Sequence, residues 1–408
     1  GIIWIAAVAL RFSMIPSYVE LRGDEGSYHA LAVSLEGGKG CQISGQAYSR
    51  PPLYPIIVAF IYRMFGTGNM KAVYVIQVLL GALVCNLIYE IAKKVFGPEA
   101  GFLAAFLTLF NLSLAASCAR LLTECLFTLC LVGAFFFLQK EKVRHDALSG
   151  LFFGFATLMK GVVLFLPFFA AGYLVFQYGR EGVKRGAALL AIFFLSLLPL
   201  LIHNYYVYRA VVPVSTQGGY AFYSSYHPVE GKFFGYNVVD ENVTYARTLA
   251  SETAASRYLF RKTLEDIGRS PSALVRLETL KFLYFWAPFD WEIIGGGRYQ
   301  FVYGFIFPFF LMGAFWEKAK RPFLMIPILY FLGMALLFYG SPRFRLPVEP
   351  FMMMLGSVGL LECFRRFSQR IVGWTVVAVV LGANIVFAVW TGPFKLFLNH
   401  SLHTIGLW

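Results

Sequence analysis

Long apolar runs follow one another along the chain, and short polar or basic stretches separate them. A helix that crosses a bilayer needs about 20 predominantly apolar residues. An incomplete first run ends at Arg11, and ten more follow, at about 70–92, 98–118, 121–139, 147–159, 161–178, 187–208, 299–316, 322–339, 347–364 and 371–391. The pattern predicts an all-α polytopic membrane protein of about eleven spans. We expect part of the first span to lie before residue 1.

Basic residues cluster in every second loop of this threading, as expected of cytoplasmic loops. The clusters are Lys93 and Lys94; Lys140, Lys142 and Arg144; Arg180, Lys184 and Arg185; Lys318, Lys320 and Arg321; and Arg365, Arg366 and Arg370. With these inside, the first polar loop (13–50) and the long insert (209–298) both face outward. The turns near Arg120 and Lys160 face outward as well, so the sequence predicts chemistry at the outer surface.

Composition agrees with a membrane protein and limits the number of domains. Of 408 residues, 58% are hydrophobic and only 14% are charged, and the mean hydropathy is +0.65. The net charge of +13 lies in the loop clusters, so it does not indicate nucleic-acid binding. Residues 51–66 open on Pro51-Pro52 and are short, so we expect a helix that enters the membrane without crossing it. We predict a single transmembrane domain over 1–408, with the insert mostly helical.

The first polar loop carries two adjacent carboxylates, Asp24 and Glu25. The apolar spacing that follows predicts a short interfacial helix with Asp24 at its amino end. A helix amino terminus favours an ionised carboxylate, which a general base requires. Asp is also a preferred capping residue, so capping alone explains Asp24 equally well. Glu25 would point elsewhere, toward an acceptor, a cation or a basic partner, or into solvent.

Positive side chains recur on the predicted outer side, namely Arg50, Lys160, Arg343 and Arg345. Together they suit a lipid-linked phosphate, which Arg binds with two parallel hydrogen bonds and Lys binds as a point charge. Any one of them alone is better explained as a side chain that reaches the lipid headgroups.

Other polar residues at predicted span ends have structural explanations by default. Arg120 and Glu124 are spaced i,i+4 and are expected to pair with each other. His203 and Asn204 end another span, and no second His or Cys stands at metal-ligand spacing. No nucleotide-binding motif occurs.

Several motifs together resemble the GT-C membrane glycosyltransferases of the dolichyl-phosphate-mannose protein mannosyltransferase and aminoarabinose transferase type. They occur in family order: Gly-Asp-Glu-x-x-Tyr (Gly23 to Tyr28), Arg-Pro-Pro-Leu-Tyr-Pro (Arg50 to Pro55), Arg120 to Glu124, Thr157 to Gly161, His203 to Tyr205 followed by Gly218-Gly219, and Arg343 to Pro350. Many relatives carry Arg where this chain has His203.

The resemblance implies an inverting glycosyltransferase of the cell envelope that moves a hexosyl or pentosyl group from a polyprenyl-phosphate donor to a hydroxyl of a lipid, glycan or protein. Asp24 would be the catalytic base and Glu25 would assist it. Lys160, Arg343, Arg345 and Arg50 would bind the donor phosphate, and the remaining motif residues would line the substrate cavity: Tyr28, Tyr54, Arg120, Glu124, His203 and Asn204. No cofactor is required, although a divalent cation is compatible with the reaction.

The resemblance also leaves alternatives open. The membrane would be the plasma membrane of a bacterium or archaeon, with the acceptor recognised by the insert 209–298 or by a partner subunit. The rival readings are a ligase that transfers a whole oligosaccharide, a non-catalytic subunit with the same fold, and a lipid-glycan transporter.

Overall fold

The computed structural model describes residues 1–21, 23–43, 46–47, 50–227, 238–290, 292–316, 321–366 and 370–389. The predicted cytoplasmic residues Lys318 and Lys320 lie outside the described residues. So do residues 228–237 and Trp291 of the insert, and the carboxyl segment after residue 389.

The chain is 79% helical, which confirms the all-α prediction. The first half contains α1 (Ile2–Phe12), α2 (Asp24–Glu36), α3 (Leu53–Phe65), α4 (Met70–Phe96), α5 (Pro98–Leu109), α6 (Leu112–Ser117), α7 (Glu124–Leu138), α8 (Val143–Met159) and α9 (Leu166–Tyr208). The second half contains α10 (Gly218–Tyr226), α11 (Glu241–Arg247), α12 (Glu252–Arg269), α13 (Pro271–Trp286), α14 (Phe301–Trp316), α15 (Arg321–Leu337), α16 (Pro342–Arg345), α17 (Glu349–Arg366) and α18 (Arg370–Val389).

Short elements join these helices. The described part of the chain contains two antiparallel hairpins, β1 (Gln42–Ile43) with β2 (Gln46–Ala47), and β3 (Phe289–Asp290) with β4 (Arg298–Tyr299). Turns of 3₁₀ helix follow α8 at Gly161–Val163 and precede α17 at Leu346–Val348. The second hairpin and the second 3₁₀ turn both lie close to the candidate site.

Among the residues that the structure describes, four helical segments are long and apolar enough to cross a membrane: Met70–Phe96, Gly161–Tyr208, Pro342–Arg365 and Ile371–Val389. Six shorter apolar helices accompany them within the described residues: α1, α3, α5, α7, α14 and most of α15. The chain is therefore an integral membrane protein. The count of about eleven spans and the entry of α3 without crossing stay predictions.

The helix breaks expected from the apolar pattern near Arg120 and Lys160 are present, since α6 ends at Ser117, α7 begins at Glu124 and α8 ends at Met159. The runs 161–178 and 187–208 join in α9, which kinks at Gly179 with φ of 56°. Glycine adopts this left-handed conformation without the strain that a Cβ would bring. Polar residues at the two breaks supply part of the candidate site.

The apolar core is centred on α7, where the ring of Phe135 contacts three other helices. Its centroid lies 5.0 Å from Phe351 of α17, 5.4 Å from Phe323 of α15 and 5.7 Å from Phe153 of α8. Close packing of this kind holds membrane helices together, because lipid provides little hydrophobic drive for helix association. The core therefore fixes α7, whose first residue, Glu124, belongs to the candidate site.

Two glycines let α8 and α9 approach each other closely. A Cβ at Gly150 would collide with the backbone of Leu189, and a Cβ at Gly154 would collide with Ser196. Small residues four apart allow this contact between membrane helices. The packing fixes α8, and Lys160 follows directly after its last residue.

Candidate active site

Charged side chains from six separate segments meet at one end of the bundle. They begin α2 and α7, follow α8, precede α3, lie in the β3–β4 hairpin and lie in α16. We call them the central cluster: Asp24, Arg50, Glu124, Lys160, Glu292 and Arg343. The structure thus brings Asp24 together with four other predicted site residues, and it adds Glu292, which was not predicted.

Asp24 is the first residue of α2 and follows Gly23, whose φ of 54° suits glycine. Its Oδ1 lies 2.8 Å from Nη1 of Arg50, and its Oδ2 lies 3.0 Å from Nη1 of Arg343. Burial alone would raise the pKa of Asp24, but Arg343 and Arg50 outweigh it and hold this pKa below its ordinary value. The carboxylate is therefore ionised at neutral pH, and its 31% exposure lets a substrate reach it.

Glu124 is a fully buried carboxylate that two cations neutralise. Its Oε1 lies 2.7 Å from Nζ of Lys160 and also accepts a hydrogen bond from Nε of Arg343. A buried charge needs such partners, because it has lost its water. The Lys160 ammonium also lies 5.6 Å from the ring centre of Phe127. Glu124 therefore fixes both cations, and Arg343 also contacts Asp24.

The predicted pair of Arg120 with Glu124 is wrong. Arg120 binds Glu25 through two hydrogen bonds, Nε to Oε1 at 3.1 Å and Nη2 to Oε2 at 2.7 Å. Its Nη1 donates to the backbone oxygens of Glu292 and Ile293. Helical spacing misled the prediction, because the helix begins only at Glu124 and leaves Arg120 in the preceding turn.

Glu25 has the basic partner that was one of its predicted roles. The carboxylate is almost fully buried and also accepts from the backbone nitrogen of Leu121 at 3.2 Å. It therefore ties the start of α2 to the turn before α7. A further catalytic role of Glu25 stays a prediction.

Arg345 lies two residues after Arg343 but has no exposed surface. Its Nε lies 2.8 Å from Oε1 of Glu349, and Nη2 donates to Gln300. The remaining nitrogen, Nη1, donates to the backbone oxygens of Phe285 and Ala287. All of its nitrogens thus have protein partners, so we leave Arg345 out of the phosphate site proposed below.

The other predicted cavity residues lie at varying depth. Tyr28 is buried, and its ring lies 5.1 Å from the guanidinium carbon of Arg50 and packs edge to face on Tyr54. Tyr54 is deeper still and donates to Oε1 of Gln77. Asn204 is buried and donates to the backbone oxygen of Val212, whereas His203 is exposed. Of these four, Tyr28 contacts the central cluster through its ring, which lies against Arg50.

Glu292 is the cluster residue that sequence reasoning missed. Its Oε2 lies 3.6 Å from Nη1 of Arg343, and its Oε1 accepts from Ser341. The only available signal was a second pair of nearby carboxylates, Asp290 and Glu292, at the end of the insert. Asp290 is buried and caps the turn by accepting from three backbone nitrogens, at residues 292, 293 and 294.

Two features bear on what this site can bind. A small cavity beside the cluster is lined by residues that include Ser113, Glu292, Gln300 and Arg343. Within the described residues, no group of three or more His, Cys, Asp and Glu side chains is placed to hold a metal ion. The site thus offers an ionised carboxylate between two guanidinium groups, with Lys160 and Glu124 beside them.

The helical bundle has the fold of the GT-C class of membrane glycosyltransferases. A family model described as dolichyl-phosphate-mannose-protein mannosyltransferase matches residues 49–205, which is less than half of the chain. No curated protein sequence matches this chain. The resemblance inferred from the motifs is confirmed.

Solved oligosaccharyltransferase structures share the fold at low sequence identity. The oligosaccharyltransferase AglB of Archaeoglobus fulgidus, solved with an inhibitory peptide and a dolichol-phosphate, has a TM-score of 0.57 and 12% identity, over 95% of this chain and 54% of that one. The A. fulgidus oligosaccharyltransferase with Zn and sulfate has a TM-score of 0.58 and 14% identity, over 95% and 52%. ArnT of Cupriavidus metallidurans bound to undecaprenyl phosphate has a TM-score of 0.43 and 14% identity, over 90% and 79%. The chain thus spans about half the length of the oligosaccharyltransferases that it matches.

Proposed function

We propose that the protein is an inverting glycosyltransferase that moves a sugar from a polyprenyl-phosphate donor to an acceptor hydroxyl. The observation that carries the proposal is the Asp24 carboxylate, partly exposed and held ionised between the guanidinium groups of Arg50 and Arg343. The proposed general base is then in direct contact with two of the arginines that form the proposed phosphate site. The reaction needs both near one anomeric carbon, because the acceptor oxygen that the base activates attacks this carbon while the phosphate leaves from its opposite face.

Asp24 is the base in this proposal. The acceptor hydroxyl gives its proton to the Asp24 carboxylate while the hydroxyl oxygen attacks the anomeric carbon. The bond from that carbon to the phosphate oxygen breaks, and its electrons stay on the phosphate. Attack from the face opposite the leaving group inverts the configuration.

Arg343, Lys160 and Arg50 hold the phosphate and stabilise the charge that develops on it. Arg343 and Lys160 already share Glu124, so they are fixed side by side. Arg50 reaches the same region from the segment before α3 and also contacts Asp24. Glu25 and Arg120 hold α2 in position, and Tyr28 forms the wall behind Arg50.

The proposal extends to the surroundings of the site. The cluster faces the outer side of a plasma membrane, as the basic loop clusters indicate. The insert 209–298 supplies Glu292 and is the part of the chain that we assign to acceptor recognition, alone or with a partner subunit. The sugar is a hexosyl or pentosyl group.

The experiment that tests the function is a turnover assay on purified protein in lipid nanodiscs. A panel of polyprenyl-phosphate sugars is offered with glycan, lipid and peptide acceptors, and the release of polyprenyl phosphate is measured. Wild type is compared with Asp24→Asn and with Glu265→Gln, an exposed carboxylate of α12 that serves as the matched control. We expect turnover to fall about 10²- to 10⁴-fold in Asp24→Asn, the usual contribution of a general base, and to persist in Glu265→Gln. Equal turnover in Asp24→Asn and wild type would reject the mechanism.

A second candidate function is the transfer of a whole lipid-linked oligosaccharide. The fold shared with AglB, at a TM-score of 0.57 over 95% of this chain, favours it. The same assay separates the two functions, because the mass added to the acceptor is one sugar in the first and an oligosaccharide in the second.

A further inference from the structure

The central cluster is already neutral before a substrate binds. Three carboxylates, Asp24, Glu124 and Glu292, face three cations, Arg50, Lys160 and Arg343. A polyprenyl-phosphate sugar brings one negative charge, and its product, polyprenyl phosphate, brings up to two. The phosphate must therefore take a cation from a carboxylate that now holds it, because unpaired charge in a largely buried site is costly.

We propose that the donor phosphate takes Arg343 from Asp24, so that the donor itself releases the catalytic base. The inference rests on the proposed function and concerns its order of events. In the free protein Asp24 is paired with Arg343, and in the donor complex Arg343 is paired with the phosphate. Asp24 then faces the acceptor hydroxyl while it is paired with Arg50 and no longer with Arg343.

The geometry of Arg343 favours it as the residue that exchanges. Its Nε is anchored on buried Glu124, while Nη1 lies 3.0 Å from Asp24 and 3.6 Å from Glu292. Rotation about this anchor moves the outer nitrogens and leaves the inner bond intact. Arg50 is held over the ring of Tyr28, and Lys160 is held by Glu124. Glu124 is accordingly a positioning residue, which keeps Arg343 in place while its partner changes.

The exchange changes the basicity of Asp24 in a defined direction. The described ionisable groups that face Asp24 are Arg50 and Arg343, which lower its pKa, and Glu124, Tyr28 and Tyr339. When Arg343 turns to the phosphate, Asp24 loses one favourable partner and gains a nearby anion. Both changes raise the pKa of Asp24 in the donor complex. Asp24 thus becomes the stronger base when a leaving group is present, which limits proton removal in the absence of donor.

The direct test measures the affinity for the product polyprenyl phosphate in nanodiscs, in wild type, Asp24→Asn and Glu265→Gln, with the uncharged polyprenol as a reference ligand. Competition predicts that Asp24→Asn binds polyprenyl phosphate more tightly, roughly tenfold, which corresponds to about 1.4 kcal/mol. Glu265→Gln removes the same charge outside the cluster and is expected to bind as wild type does. Polyprenol affinity is expected to be equal in all three.

The outcomes separate this inference from the proposed function. Equal or weaker binding of polyprenyl phosphate by Asp24→Asn would overturn the exchange and leave the lipid-phosphate site standing. Binding no tighter than that of polyprenol in all three proteins would overturn both. An equal gain in Glu265→Gln would show a general charge effect and would likewise overturn the exchange.

A kinetic test uses the pH profiles of the wild-type enzyme. The acid limb of kcat/KM for the donor reports the free enzyme, and the acid limb of kcat reports the enzyme with donor bound. Since Asp24 is the stronger base in the complex, kcat is expected to begin falling at a higher pH than kcat/KM. Acid limbs that coincide, or that lie in the opposite order, would contradict the exchange.

Discussion

Arg343 and Arg345 lie on one turn of α16, and they show two different uses of a buried guanidinium. Arg343 is 17% exposed and is shared by three carboxylates that also have other partners, whereas Arg345 is fully enclosed and saturated by one carboxylate, one amide and two backbone oxygens. A ligand can displace Asp24 or Glu124 from Arg343 while each carboxylate keeps its other cation. It can displace a partner of Arg345 only by opening the core. The comparison teaches that accessible and replaceable partners mark a binding arginine, and proximity in sequence does not.

The largest effect is expected where the partner cannot be replaced. Arg345→Met leaves Glu349 as a buried carboxylate whose main remaining partner is Asn111, which donates to its Oε2. Breaking a buried pair from one side costs about 3 to 5 kcal/mol of stability. We expect a large fall in the melting temperature in detergent, with donor affinity unchanged in the protein that remains folded. Wild-type stability with weakened donor affinity would reverse the roles of the two arginines.

A double variant keeps this prediction testable if Arg345→Met does not fold. Arg345→Met combined with Glu349→Met removes both charges, and replacing both partners of a buried pair with apolar residues is often neutral. The double variant is therefore expected to recover most of the lost stability. A double variant no more stable than Arg345→Met would show that the pair is not the reason for the loss.

The same substitution two residues earlier is expected to act on binding instead. Arg343→Met leaves Glu124 paired with Lys160 and Asp24 paired with Arg50, so its melting temperature falls less than that of Arg345→Met. Charge-assisted hydrogen bonds contribute about 1.5 to 3 kcal/mol each, so affinity for polyprenyl phosphate is expected to fall about tenfold to a hundredfold. Binding measured on both variants at equal folded fraction decides the comparison. Unchanged affinity in Arg343→Met would remove it from the phosphate site.

These two arginines also show how far the sequence could lead. The apolar helices and the breaks at Arg120 and Lys160 could be predicted from the sequence, because lipid requires long apolar helices with polar residues at their ends. Asp24, Arg50, Lys160 and Arg343 were readable as charged groups on one predicted side. Whether Arg343 or Arg345 is enclosed depends on packing of α13 and α14 against α16, which no local pattern contains. Glu292 was missed for the same reason, since a hairpin far along the chain brings it to the cluster.

Substitution of Arg120 is expected to have a smaller effect than substitution of Arg343 or Arg345. It contacts neither Asp24 nor Arg343, but it joins Glu25 of α2 to the backbone at Glu292 and Ile293. Arg120→Lys keeps the charge but cannot form all four hydrogen bonds at once, because the Lys ammonium has only three N–H donors, all on one nitrogen. Net losses of about 0.5 to 1.5 kcal/mol per hydrogen bond predict a fall in kcat of about threefold to tenfold at saturating donor. Affinity for polyprenyl phosphate is expected to stay unchanged, because the cations of the cluster keep their places. If affinity falls and kcat does not, Arg120 acts on the phosphate as Arg343 does, and its position between α2 and the β3–β4 hairpin does not explain its role.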